Sequence, residues 1–173
     1  MGREIRMVPP NWEHPKSTDF PDRLQPMFDR NFTDAAREWK EAFAKWEAGE
    51  RPKYCDDAES RALEYWEWTD NPPERKYYRP WKDEEAIWFQ VWETVSEGTP
   101  VTPAFPTREA LAVYLSKHGD AWDQKRGDGP WSIENARQFC LTGWAPSGVI
   151  ISGKVLTARD SAEIHNKLSS EVS

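Results

Sequence analysis

Apolar residues recur at helical spacing in separate segments of this chain, and glycine or proline closes each segment. The clearest segment is 34–48, where Trp39, Phe43 and Trp46 stand at positions i, i+4 and i+7. Thr33 precedes it as the candidate N-cap, and a glycine follows its last residue. This pattern predicts an amphipathic helix whose inner face is aromatic.

The same reasoning predicts five further helices, each placed by apolar spacing together with capping residues at its ends. They span 56–70, 81–95, 108–118, 133–142 and 158–168. The second of these begins with acidic residues that suit the helix dipole. Its apolar stripe consists of Ile87, Trp88, Val91, Trp92 and Val95. The Gly- and Asp-rich stretch 120–130 is instead expected to be a mobile surface loop.

Two segments have the composition of strands. Residues 3–8 are too short for a helix and end at a pair of prolines, so they predict a strand. The strand-like segments Val149-Ile150-Ile151 and Lys154-Val155-Leu156, on either side of Ser152 and Gly153, predict a hairpin near 149–156. Since an isolated hairpin is marginally stable in water, residues 3–8 are its expected third strand.

The fold class that follows is α+β: a helix-dominated single domain with a small antiparallel sheet, made of the N-terminal strand plus the C-terminal hairpin. Residues 1–31 are expected to form this strand and a Pro-rich arm packed on the domain. Residues 32–173 are expected to form the helix-rich globular domain, which includes the hairpin near 149–156.

Composition indicates what fills the core of this domain. Leu, Ile, Val and Phe supply only 28 of the 173 residues, a fraction typical of disordered chains when net charge is high. The chain also carries 11 Trp and 5 Tyr, whose side chains bury large apolar areas. We therefore expect a globular domain whose core depends heavily on tryptophan.

The net charge of −7 argues against direct binding to nucleic acid or to an anionic membrane, because both need a basic surface. The imbalance lies in one section, residues 38–97, which holds 16 acidic and 9 basic side chains. One interpretation of this section is a mimic of DNA phosphates, but its interleaved basic residues favour an ordinary solvated helical face. No apolar run approaches the roughly 18 residues that a membrane span needs.

The most unusual composition lies at 63–70, where aromatic and acidic residues are mixed, and at 77–81, which adds three more aromatic residues. Trp66 and Trp68 cannot share one helical face, so at least one of Trp66, Trp68 and Trp81 is expected at the surface. Exposed Trp, Tyr and Arg are typical of the centres of protein interfaces. The candidate partner-binding residues are Glu64, Trp66, Glu67, Trp68, Asp70, Tyr77, Tyr78 and Trp81. Two alternatives stay open: irregular chain covers all these rings, or they stack on single-stranded nucleic acid, which the local acidity disfavours.

No motif in the sequence points to catalysis, a cofactor or a metal. Walker A, GxGxxG, HExxH and DxDxDG patterns are absent, and the three histidines His14, His118 and His165 are scattered. Cys55 and Cys140 are far apart and predict two reduced thiols. The first residues lack the apolar stretch of a signal peptide, so the expected compartment is the cytoplasm. We therefore assign no catalytic residue, cofactor or metal ligand, and an enzyme is the less favoured class.

Three short sequence segments resemble those of a known group of proteins. They are RMVPPNWEHP at 6–15, SEGTPVTPAF at 96–105 and GWAPS at 143–147. Together they make most of the chain similar to small accessory proteins of tailed bacteriophages and prophages. The resemblance implies a context, a phage-encoded accessory protein in the cytoplasm of the host cell, and it implies no catalytic residue.

Three function classes stay open, in order of preference. The first is a non-enzymatic protein that binds a host or phage protein, for which the phage context suggests a nucleic-acid-processing complex of host defence, such as a CRISPR nuclease, as the target. The second is a structural or assembly protein of the virion, with the Pro-rich arm at 9–31 as its contact element. The third is a small enzyme that uses carboxylates of the middle section.

Overall fold

The computed structural model describes residues 2–55, 57–69, 71–94 and 97–145, together with the backbone of 148–151 and 154–157. By its internal contacts the chain divides into two compact units. Unit 1 consists of Met1–Pro26 and Trp81–Ser173, and unit 2 consists of Met27–Pro80.

The described residues contain both helices and short strands. The strands are β1 Gly2–Val8, β2 Phe28–Asn31, β3 Tyr78–Arg79, β4 Trp88–Thr94, β5 Trp144–Ala145, β6 Gly148–Ile151 and β7 Lys154–Thr157. The helices are α1 Phe32–Glu47, α2 Ala58–Ala62, α3 Tyr65–Trp68, α4 Arg108–His118, α5 Ala121–Arg126 and α6 Ile133–Thr142. Helix accounts for 41% and strand for 19% of the structure, which confirms the predicted helix-dominated α+β class.

Unit 1 is built on a three-stranded antiparallel sheet with the strand order β4-β1-β5. Strand β1 lies in the middle, and all seven of its residues pair with β4. Strand β5 pairs with only the N-terminal part of β1, through Arg3 and Glu4. The N-terminal segment is therefore the central strand of the sheet.

One face of this sheet packs against α4 and α6 and forms the main core of unit 1. The sheet contributes Ile5, Phe89, Val91 and Ala145. The helices contribute Leu111, Ala112, Leu115, Ala136, Phe139 and Cys140. Because successive strand residues point to opposite faces, burial of this face favours the observed register of β1 and β4.

The opposite face of the sheet is covered by aromatic residues of the N-terminal arm. Trp92, which is 1% exposed, packs edge-to-face against His14, with 4.9 Å between ring centroids. Trp12 in turn packs against Trp81 at 4.5 Å. The guanidinium of Arg6 lies 4.6 Å from the centre of the Trp92 ring. The arm at residues 9–26 is thus part of the folded unit.

His14 is held as a neutral ring within this aromatic layer. Its Nε2 lies 2.6 Å from the carbonyl oxygen of Gln25 and donates to it, while its Nδ1 accepts from the indole N–H of Trp12. Burial lowers the pKa of His14 below its usual 6.5. The hydrogen bond to the Gln25 carbonyl raises this pKa and offsets part of the effect of burial, and the positive charge of Arg6 lowers it by a smaller amount.

Three predicted helices are confirmed, with capping that follows their sequences. Helices α4 and α6 begin at the predicted caps Thr107 and Ser132, whose hydroxyls accept from backbone N–H groups three residues on. Helix α1 begins earlier than predicted, because Asn31 and not Thr33 accepts from the backbone N–H of Asp34. The inner aromatic face of α1 is as predicted.

The helix predicted at 81–95 is wrong, because this segment holds strand β4. Its acidic start at Asp83–Glu85 forms only a short 3-10 turn. From Gln90 to Glu93 every side chain is buried, two on each face of the sheet. A strand covered on both faces lacks the simple alternation of an exposed strand, so its apolar residues also fit a helical period.

Two further predictions are corrected. The helix predicted at 56–70 is two short helices, α2 and α3, separated by Leu63 and Glu64 in extended conformation. The loop predicted at 120–130 contains helix α5, which Asp120 caps by accepting from the backbone N–H groups of Trp122 and Asp123. Asp120 and Asp123, in a sequence typical of a solvated loop, are buried residues that cap this helix.

The hairpin predicted near 149–156 is present as β6 and β7, which pair antiparallel with each other. Its predicted third strand, residues 3–8, is strand β1, which pairs with β4 and β5. The sheet of β1 and the hairpin are therefore two separate sheets. The helix predicted at 158–168 lies outside the described residues.

A buried ion pair joins β1 to the start of α5. The Arg3 guanidinium Nε donates to the Asp120 carboxylate at 2.5 Å, and both side chains are almost fully buried. Asp123, on the next turn, accepts from the indole N–H of Trp131 at 2.7 Å. These bonds satisfy polar groups that would otherwise be buried without a partner.

We expect Asp120→Asn to destabilise the protein strongly, because it removes the negative charge that accepts from the buried Arg3 guanidinium while keeping the size and the capping oxygen of the side chain. The expected loss is about 3 to 5 kcal/mol in the free energy of unfolding. Urea unfolding followed by circular dichroism measures it. The matched control is Asp128→Asn, an exposed ion-pair residue, with an expected loss below about 1 kcal/mol. Equal unfolding midpoints for the two variants would contradict this assignment.

We also expect stability to fall as the pH drops from about 7.5 to 5.5. The unfolded state takes up a proton on His14 near pH 6.5, whereas the folded state resists it, so the unfolded state binds more protons in this range. The variant His14→Gln should show a smaller loss of stability over the same range. The control His118→Gln, at an exposed position, should behave like the parent protein. An unchanged pH dependence in His14→Gln would show that this ring is not the titrating group.

Candidate functional site

The predicted surface around Trp66 rests on an aromatic cluster in unit 2. Trp46 and Cys55 are buried there together with Tyr65, the first residue of α3. The rings of Trp39 and Phe43 stack 5.3 Å apart on the same face of α1, and Tyr65 packs against both. The short helix α3 is therefore anchored through its buried first residue.

Trp66 points away from this cluster and is 47% exposed. Glu64 and Glu67, on either side of it, are also exposed. The Glu67 carboxylate accepts from the backbone N–H of Glu64 at 2.9 Å, which closes the first turn of α3. The structure thus presents one large aromatic ring between two carboxylates on a fixed helical turn.

Trp68 belongs to a second feature, a column of stacked side chains. Its ring lies 5.7 Å from Trp46 on one side and 5.8 Å from Tyr54 on the other, with interplanar angles of 25° and 23°. At the Trp46 end, the Arg51 guanidinium carbon is 3.9 Å from the ring centre. Tyr54, at the other end, is 75% exposed.

A cavity of about 330 Å³ opens beside this column. We call it the aromatic pocket, and its walls include Trp46, Tyr54, Tyr65 and Trp68. Lys45, Glu50 and Arg51 also line it. Its size is at the lower end of the range for ligand pockets, about 300 to 1,000 Å³.

The other predicted site residues lie elsewhere. Tyr77 and Tyr78 are half-buried, and Tyr78 packs against Phe28 with 5.1 Å between ring centroids. Trp81 belongs to unit 1, where it is 5% exposed against Trp12. Asp70 lies outside the described residues. The predicted set therefore separates into three exposed residues, Glu64, Trp66 and Glu67, and rings that pack within the fold.

Sequence reasoning missed Tyr54 and Arg51. They lie in an irregular segment between α1 and α2, where no periodicity shows which side chains meet. The available signal was local: the sequence Arg-Pro-Lys-Tyr begins two residues after the glycine at the end of α1, close enough for its side chains to return to the end of that helix.

The buried carboxylates of unit 1 are engaged in structural contacts. Asp120 and Asp123 make the contacts described above, and Glu93 accepts from the indole N–H of Trp122 at 3.2 Å and from the Thr99 hydroxyl. Burial raises the pKa of the Cys140 thiol to about 12, which makes this thiol a poor nucleophile. These carboxylates therefore serve to pair buried hydrogen-bond donors in the core.

The described residues contain neither a metal site nor a membrane-spanning helix. No group of three or more His, Cys, Asp and Glu side chains in this part of the chain has the arrangement of a metal site. None of the helices described there combines the length and apolarity that crossing a bilayer requires.

Comparisons with known proteins do not assign this chain to a family or a fold. Neither profiles of protein families, nor curated proteins, nor solved structures give a match to this chain. The proposed function therefore rests on the sequence and on the geometry of the site.

Proposed function

We propose that this chain is a phage-encoded, non-enzymatic accessory protein that acts by binding another protein through the exposed residues Glu64, Trp66 and Glu67. The observation that carries the proposal is the 47% exposure of Trp66 between the carboxylates of Glu64 and Glu67. The phage context comes from the resemblance of the sequence phrases. A nucleic-acid-processing complex of host defence is the proposed target.

The chemistry of this surface fits a basic protein partner. The segment 56–70 has six acidic residues and one basic residue. Charge of one sign steers an oppositely charged partner and sets orientation, while a central Trp supplies binding free energy when it becomes buried. Proteins that process nucleic acids expose basic clefts, so they match this combination.

The surface is also preorganised. Buried Tyr65 and the bond from the Glu64 N–H to the Glu67 carboxylate hold α3 before any partner arrives. Binding then requires little additional ordering of the Trp66 backbone, which favours affinity.

The virion alternative has less support from the fold. It uses the Pro-rich arm as a contact element, but this arm packs on the rest of unit 1 through the ring contacts of His14 with Trp92 and of Trp12 with Trp81. The enzyme alternative needs carboxyl groups with raised pKa values that converge in a cleft. Resolved carboxyl shifts run the other way: hydrogen bonds from Ser60 lower the pKa of Asp57, and Arg137 lowers that of Glu109.

We expect Trp66→Ala to weaken capture of the partner by about 30-fold or more, because a central interface Trp commonly contributes at least about 2 kcal/mol. The measurement is affinity capture of the full chain from phage-infected cells, with mass spectrometry to identify the partner and a binding titration on the purified pair. Circular dichroism of the variant checks that the fold is kept.

The matched control is Trp144→Ala, which removes another exposed tryptophan, 56% accessible, from strand β5 of unit 1. This control should retain capture. Loss of capture in Trp144→Ala with full capture in Trp66→Ala would overturn the proposed surface, and recovery of virion proteins alone would favour the structural alternative.

A further inference from the structure

The aromatic pocket meets the edges of its tryptophan rings rather than their faces. The ring of Trp68 is stacked between Trp46 and Tyr54. The Trp46 ring is also covered by the guanidinium of Arg51, 3.9 Å from its centre. Because these contacts occupy the faces of both tryptophans, a cavity beside the column adjoins mainly their edges. The edge of an aromatic ring carries partial positive charge and packs well against the face of another ring, so these walls suit a ligand that contains one.

The charged residues give the pocket a positive lining. Lys45 and Arg51 both line it, and Glu50 is the one acidic side chain in its described wall. Among the described residues, no carboxylate forms an ion pair with Lys45 or Arg51. The exposed side chains of Glu64 and Glu67 do not line the pocket, and solvent screens charges at longer distance. The local charge therefore favours an anionic ligand.

The pocket also has hydrogen-bond donors with capacity to spare. Nη1 of Arg51 donates to the carbonyl oxygens of Trp46, at 2.6 Å, and Glu50, at 3.2 Å. Its Nε is buried and finds no partner among the described residues, and an unpaired buried donor costs free energy. Burial, followed by the neighbouring Tyr54, raises the pKa of Tyr65, so this phenol stays protonated and can donate. A negatively charged acceptor would match these groups.

We propose that the aromatic pocket binds a small aromatic carboxylate. Its carboxylate group pairs with the ammonium of Lys45 and the guanidinium of Arg51. Its ring packs with one face against the edges of Trp46 and Trp68. The volume of about 330 Å³ is at the small end for ligand pockets and suits a ligand with a single ring. Trp66 does not line this pocket, so the inference does not depend on the proposed protein partner.

A titration with small molecules tests the charge and ring preferences together. The probes are benzoate, its neutral analogue benzamide, the cation benzylammonium, and acetate, which has no ring. The readout is the indole N–H signals of Trp46 and Trp68 in two-dimensional NMR spectra of the full chain at low ionic strength. We expect saturable shifts with benzoate and about tenfold weaker binding of the other three probes.

Three substitutions at exposed positions locate the carboxylate group. Lys45→Gln should weaken benzoate binding about threefold to fivefold, since it removes a positive charge from the lining. Glu50→Gln should strengthen binding by a similar factor, because it removes the opposing charge. The matched control is Lys40→Gln, which removes an exposed lysine of the same helix that does not line the pocket. This control should leave the titration unchanged.

Two kinds of result would overturn the inference. The first is the absence of saturable shifts with benzoate, or binding of benzamide or benzylammonium as tight as that of benzoate. The second is equal weakening by Lys45→Gln and Lys40→Gln, which would show that the net charge of the chain and not this pocket attracts the anion. Capture of a protein partner through Trp66 can succeed or fail independently of both results.

Discussion

The burial of Arg3 is the constraint on which the organisation of unit 1 depends. A guanidinium inside a core requires a carboxylate nearby, and Asp120 meets that need at 2.5 Å. Since Arg3 belongs to β1 and Asp120 begins α5, this one contact ties the first strand to a helix more than a hundred residues later. Glu93 pairs opposite Arg3 on β4, and its bond to Trp122 connects that strand to the same helix.

Sequence reasoning succeeded where a local signal determines structure. Helices α1, α4 and α6 have an apolar period and a glycine after the last turn, so their positions follow from the chain itself. It failed where partners distant in sequence decide. Residues 88–94 form a strand because β1 pairs with them over their whole length. Asp120 is a buried cap because Arg3 meets it.

The same distinction applies to the site. The spacing of Trp66 and Trp68 predicted that at least one ring of the candidate set lies at the surface, and the exposed Trp66 confirms it. The aromatic pocket was outside the reach of that argument, because Arg51 and Tyr54 reach Trp46 and Trp68 through an irregular segment. This pocket forms through tertiary contacts, and such contacts leave no periodic pattern in the sequence.

The two units differ in where their interacting carboxylates lie. Unit 1 places carboxylates inside its core, whereas unit 2 presents Glu64 and Glu67 to solvent around Trp66. The most direct test is photocrosslinking in phage-infected cells, with p-benzoylphenylalanine in place of Trp66 or of Trp144. The account predicts a protein adduct from position 66 and none from position 144. An adduct from position 144 alone, or from neither position, would contradict it.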